Sequence, residues 1–202
     1  MAQIQQILLF CPAFNAIVLL NLFWKYYLRR NKWQFVGDYP YHLPKLVVAV
    51  APHTSAWDFI VGLAVRSHFK LNHVKFLGKQ ELFKPPFGFF FRRLGGIPVD
   101  RFSKRNMVEQ VVDRFNAADR FTIVLSPEGT RKKVDRLRSG FYHIAVGAGA
   151  AIQMVGFDFA NRKIILAEPF YPTGNFEADA KEMLKFWGPL KGKIAEKSLG
   201  HL

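Results

Sequence analysis

Apolar and polar positions alternate along this chain in blocks that read as strands and helices taking turns. Leu46 to Ala51 (LVVAVA) and Phe121 to Leu125 (FTIVL) are unbroken apolar runs, the pattern of strands buried on both faces. Shorter strands are predicted at Val74–Leu77, Ile97–Val99, Ile152–Phe157 and Ile164–Ala167. Helical spacing covers Ala56–Phe69, Lys104–Ala117, a stretch around Phe141–Val146, and Phe176–Trp187. Lys84 to Leu94 reads as irregular or briefly helical. Strands alternating with helices imply an α/β fold, a mostly parallel central sheet covered by helices. No repeat, low-complexity tract or interdomain linker interrupts the pattern.

The first residues behave differently. Met1 to Trp24 carries no charge, and Ile7 to Trp24 is apolar apart from Asn15 and Asn21. Eighteen residues of helix span roughly 27 Å, just short of a hydrocarbon core of about 30 Å. Lys25, Tyr26, Tyr27, Leu28, Arg29 and Arg30 follow as an aromatic and basic belt suited to a headgroup region. The expected division is an N-terminal membrane-associated helical segment, 1–33, and a catalytic domain, 34–202. Pro12 and Asn15 are positions where that segment would break into a re-entrant hairpin. A core helix of a soluble domain is the competing reading.

Charge narrows the partners. Lys and Arg number 29 against 15 acids, a net +14. So basic a chain seeks polyanions, either an anionic lipid surface or nucleic acid. No nucleic-acid motif is apparent, and an apolar amino terminus suits lipid better, so no nucleic-acid partner is expected. The single cysteine, Cys11, excludes an internal disulfide. The remaining histidines show no metal-ligand spacing, and Gly147-Ala148-Gly149 lacks the third glycine of a dinucleotide fingerprint. Neither a metal nor a cofactor is expected.

Two strand ends carry the chemistry. His53 follows the strand ending at Ala51, and Asp58 lies five positions on. Within a helix these side chains would diverge by about 140°, so they meet only if His53 precedes the helix and Asp58 sits in its first turn. Ser55 as N-cap with Asp58 three positions later is a capping-box pattern that achieves this, and it is also the purely structural explanation of Asp58. A neutral imidazole so held can take a proton from an alcohol while the carboxylate fixes its tautomer. The second strand end, Ser126-Pro127-Glu128-Gly129-Thr130-Arg131, is a tight turn with an acid, a hydroxyl and a guanidinium suited to phosphate. A surface turn with a Glu–Arg ion pair explains it equally well. Gly95 to Arg101 brings a further guanidinium to a strand end. Phe83, Phe87, Phe89, Phe90 and Phe91, beside Lys84, Arg92 and Arg93, suit a bilayer interface, an acyl groove or core packing.

In this order the three segments resemble the lysophosphatidic acid acyltransferase (PlsC-like) family of glycerolipid acyltransferases. The match runs over about residues 45 to 160. It rests on His53-x4-Asp58, on Gly96-Ile97-Pro98-Val99-Asp100-Arg101, and on Glu128-Gly129-Thr130-Arg131. Pro52 stands where many members carry Asn, and the family's fourth block is blurred to Ala151-Ile152-Gln153-Met154-Val155. The resemblance implies acyl transfer from acyl-CoA or acyl-carrier protein to a lysophospholipid hydroxyl, and the basic belt places it at the cytoplasmic face of the cell membrane. The resemblance also implies that His53 and Asp58 are catalytic, and that Arg101, Glu128, Gly129, Thr130 and Arg131 bind the acceptor phosphate.

Overall fold

The computed structural model describes residues 12–99 and 106–202. Its centre is a seven-stranded sheet. The strands are β1 (Gln34–Val36), β2 (Lys45–Ala51), β3 (Lys75–Lys79), β4 (Gly96–Val99), β5 (Phe121–Leu125), β6 (Ala151–Asp158) and β7 (Lys163–Leu166). Their order across the sheet is β1-β7-β6-β2-β5-β3-β4. Five strands, β2 to β6, run parallel, while the β6–β7 hairpin reverses direction and β1 pairs parallel with β7. The helices are α1 (Pro12–Arg30), α2 (Trp57–His68), α3 (Gly88–Arg93), α4 (Met107–Asn116), α5 (Gly140–Ala148) and α6 (Phe176–Trp187). This is the expected α/β architecture, with the minor edge strand β1 added.

Strand β2 lies at the middle, paired to β5 on one side and β6 on the other. Its alternating side chains feed two cores, because successive residues of a strand point to opposite faces. Val47, Ala49 and Ala51, with Ile123 and Ile152, pack with Phe115, Ile144, Met183 and Trp187, which lie on α4, α5 and α6. Leu46 and Val48, with Val155 and Phe157, face Val61 and Ala64 of α2 and Leu28 of α1. Helix α1 is tied to α2 by Ser67 Oγ, which donates to Asn21 Oδ1 at 2.7 Å.

One part of the N-terminal expectation, a break at Asn15, needs correcting. Helix α1 runs unbroken past Asn15, so no hairpin forms there. Among the described residues no helix is long and apolar enough to cross a membrane. The first eleven residues, and with them Cys11, lie outside the described residues. Helix α4 begins at Met107, capped by Asn106 Oδ1, which accepts from Val108 N at 3.1 Å. Gly149 ends α5 in a left-handed turn at φ +56°, a C-cap role that accounts for this glycine without any nucleotide.

Candidate active site

β2 and β5 are neighbours, so the turns leaving their C-terminal ends meet at one edge of the sheet. The first turn carries His53 to Asp58 and the second Ser126 to Arg131. Parallel α/β sheets gather functional groups at this edge, since the strand ends open into loops without a hydrogen-bonded partner.

Asp58 is the second residue of α2 and almost fully buried. Its Oδ2 lies 3.0 Å from His53 Nδ1 and accepts the backbone N–H groups of Thr54 at 2.8 Å and Ser55 at 2.9 Å. The reach back to Ser55 N is half of a capping box. The other half differs from expectation: Ser55 Oγ accepts from Trp57 N at 3.2 Å, and Ala56 occupies the N-cap with no side-chain bond. The required geometry survives, with His53 before the helix and Asp58 in its first turn. Three donors on one oxygen lock the carboxylate, and its position in the first turn adds the favourable field of the helix N-terminus. The His53 ring keeps about a quarter of its surface open, whereas Asp58 is closed off.

Glu128 departs from its expected role. It is fully buried, and its Oε1 accepts the backbone N–H of His53 at 2.6 Å. A carboxyl group sealed inside has no surface to offer a phosphate. It steadies the histidine's backbone, as Asp58 steadies its ring. Burial raises the Glu128 carboxyl from 4.5 to about 7, and the nearby Asp58 charge pushes the same way, while the His53 amide and ring lower it. Asp58 Oδ1 and Glu128 Oε2 are buried without a hydrogen-bond partner among the described residues. Each such orphan costs about 1–3 kcal/mol, a cost met by the rest of the fold.

The other expected residues separate. Arg131 is exposed and lines one cavity with His53 and Asp58. Gly129 takes a left-handed φ of +64° to turn the chain, and a Cβ there would lie 2.9 Å from Arg138 Cδ. Thr130 Oγ1 accepts from Lys132 N at 3.3 Å and shapes the same turn. Neither Gly129 nor Thr130 lines the cavity. Arg101 lies outside the described residues.

The cavity, about 730 Å³, runs from this edge between the sheet and α2. Val48, Val50, Val124 and Val155 form its sheet wall, and Phe59, Gly62 and Leu63 its helix wall. Its polar lining is sparse: His53, Asp58, Ser126 and Arg131 at the strand ends, and Tyr39, Arg66 and Gln153 further along. Such a space accepts a hydrocarbon chain with a polar head.

Sequence reading missed the support behind the turn. Thr54 is buried, and its Oγ1 accepts from Ile194 N at 3.1 Å. Gly192 packs so closely that a Cβ would lie 2.5 Å from Thr54 Cγ2. Residues about 140 positions away thus brace the histidine turn, and no local pattern announces that contact. The Glu128–His53 bond likewise follows from the adjacency of β2 and β5, which brings their C-terminal turns together.

A histidine–carboxylate pair at the head of an apolar cavity defines a class of site, one suited to moving a proton beside a lipid-like chain. Comparison with known proteins supplies the family: residues 39–158, more than half of the chain, match the acyltransferase family, and the chain belongs to it. It is 37% identical over 101 residues to 1-acyl-sn-glycerol-3-phosphate acyltransferase epsilon of Mus musculus. That alignment takes in 47% of this chain and only 27% of the mouse protein. The crystal structure of the 1-acyl-sn-glycerophosphate (LPA) acyltransferase PlsC from Thermotoga maritima superposes with a TM-score of 0.57 at 21% identity, covering 84% of this chain and 76% of that one. At that identity the likeness speaks for the shared fold.

Proposed function

We propose that the protein transfers a fatty acyl group from a thioester donor, acyl-CoA or acyl-carrier protein, to the hydroxyl of a lysophospholipid, with lysophosphatidate to phosphatidate as the leading reaction. The observation that carries this is the 3.0 Å His53–Asp58 contact at the head of a cavity whose walls are hydrocarbon-like. His53 Nδ1–H is held by Asp58, so Nε2 is the nitrogen that takes the acceptor's hydroxyl proton. The oxygen attacks the thioester carbonyl, the C–O bond forms, and the C–S bond breaks. The imidazolium returns its proton to the leaving thiolate. Base catalysis of this kind contributes typically 10²–10⁴-fold. The acyl chain occupies the cavity, and Arg131 pairs with the acceptor phosphate, joined by Arg101 on the family pattern.

The site works at a membrane surface, on its cytoplasmic face, where soluble thioesters meet lipid acceptors. The basic belt of α1, with Lys25, Arg29 and Arg30 exposed, favours an anionic surface. Purified protein should release free thiol from acyl-CoA or acyl-carrier protein with at least one member of a lysolipid panel, including lysophosphatidate and lyso-ornithine lipid. Release with none of them would end the proposal. Arg131→Ala should raise the acceptor KM at least tenfold with little change in the donor KM, as expected of a lost charge-assisted bond. Equal rises in both would point to a damaged fold instead.

A further inference from the structure

The segment from Gln80 to Leu94 has two faces of opposite use. Of its residues, Phe91 and Leu94 line the cavity from the inner side, Leu82 lines it while remaining exposed, and Phe83 is buried beneath. Its outer residues are large and uncovered: Phe89 is 76% exposed, Phe87 67% and Phe90 53%. Gly88 permits the two faces to lie so close, because a Cβ there would collide with the Phe83 backbone. Three phenylalanines at these exposures present about 400 Å² of aromatic surface, more than single scattered hydrophobics explain. Trp57, 51% exposed at the head of α2, lines the cavity too and adds to the apolar rim.

Charge selects the partner. Lys84 precedes the exposed phenylalanines and Arg92 and Arg93 follow them, all three exposed. Arg92 sits over the Phe83 ring at 5.4 Å, which orients its guanidinium beside the apolar surface. Aromatic rings ringed by cations match the boundary between acyl chains and anionic headgroups. A protein partner would need acids placed opposite each cation, whereas an anionic bilayer meets them in any rotation.

We propose that Phe87, Phe89 and Phe90, framed by Lys84, Arg92 and Arg93, form a docking face for anionic bilayers that sets the cavity mouth against the lipid, separate from any contribution of the N-terminal segment. This rests on the acyl-transfer reading only for its purpose: lipid acceptors then enter and leave the cavity without crossing water. Residues one helical step apart serve as wall and as anchor, which couples docking to access.

The test uses the full chain and the triple variant F87S/F89S/F90S, none of whose positions lines the cavity. Binding is measured by sedimentation with phosphatidylcholine vesicles and with vesicles of equal parts phosphatidylcholine and phosphatidylglycerol. Wild-type protein should prefer the anionic vesicles, and the variant should bind them at least 10²-fold more weakly. Acyl transfer to a short-chain, water-soluble lysophosphatidate should be unchanged, as should the thermal melt. A second variant, K84Q/R92Q/R93Q, should lose the preference for anionic vesicles and keep the residual binding to neutral ones. Anionic-vesicle binding by the triple serine variant equal to wild type would overturn the proposal, as would failure of wild type to bind. So would self-association of wild type that the variant loses while its vesicle binding persists, which would make the face an interface between copies. Loss of vesicle binding in the variant, with no transfer by wild type to any acceptor, would leave docking standing and remove the catalytic reading alone.

Discussion

On one face of the sheet, Val47, Ala49, Ile123 and Ile152 meet Phe115, Ile144 and Trp187, all of them fully buried. On the other face, Val48, Val50, Val124 and Val155 come from the same strands and look across an open space at α2. The two sets alternate along β2, residue by residue, so one stretch of sequence builds both a packed core and a cavity wall. The difference arises in what covers each face. Three helices close the first, and α2 bridges the second with Gly62 on the cavity side. The first face is packed throughout, whereas the second packs Leu46, Val155 and Phe157 against α1 and α2 and leaves beside them the cavity proposed to take the acyl chain.

The largest effect should come from opening the filled face. Trp187 is fully buried, and its Nε1 donates to Val155 O at 3.2 Å. Trp187→Ala should cost about 3–5 kcal/mol in chemical denaturation. A loss below 1 kcal/mol would mean that this face is not the stabilising one.

Next is the buried acid at the junction of the two turns. The folded pKa of Glu128, about 7, lies above the ordinary 4.5, so the folded chain keeps a proton that the unfolded chain loses. Stability from this group is full below 4.5, declines through the interval up to 7, and is level above it. The decline amounts to on the order of 3 kcal/mol. Glu128→Gln cannot ionise and should lack it, becoming relatively more stable than wild type as pH rises through that interval. Denaturation profiles of the two proteins that run parallel would contradict this account of Glu128.

The smallest stability effect, and one of opposite sign, belongs to the open face. Gly62 lies inside α2, and a Cβ there would meet no atom within 4 Å. Gly62→Leu should raise stability by up to about 1 kcal/mol, since glycine is a poor helix former and the new side chain enters empty space. The same change should shift donor preference toward shorter acyl chains. A variant with unchanged chain-length preference would move the acyl chain out of this cavity.

How far the sequence foretold this divides along physical lines. The strands LVVAVA and FTIVL were legible because both of their faces are buried, so apolar residues run without interruption. Helix α6 was read at its observed ends, Phe176 and Trp187, where Asn175 caps it through Ala178 N. Strand β1, with only Gln34, Phe35 and Val36, was missed because it lies at the sheet edge and pairs with β7 alone. The strand order and the reversed β6–β7 pair are long-range properties with no local pattern. At the site, the pairing of His53 with Asp58 followed from helix geometry. The placing of Glu128 behind His53 did not, because the family pattern pointed to phosphate and the adjacency of β2 and β5 is a long-range property. The cavity was invisible from sequence, since it depends on how far α2 stands from the sheet.

The most direct measurement is the turnover of acyl transfer by His53→Ala at saturating donor and acceptor. Turnover should fall by about 10²–10⁴-fold with melting temperature and vesicle binding unchanged. A variant turning over within tenfold of wild type, its fold intact, would show that the proton leaves by another route and that His53 is not the base.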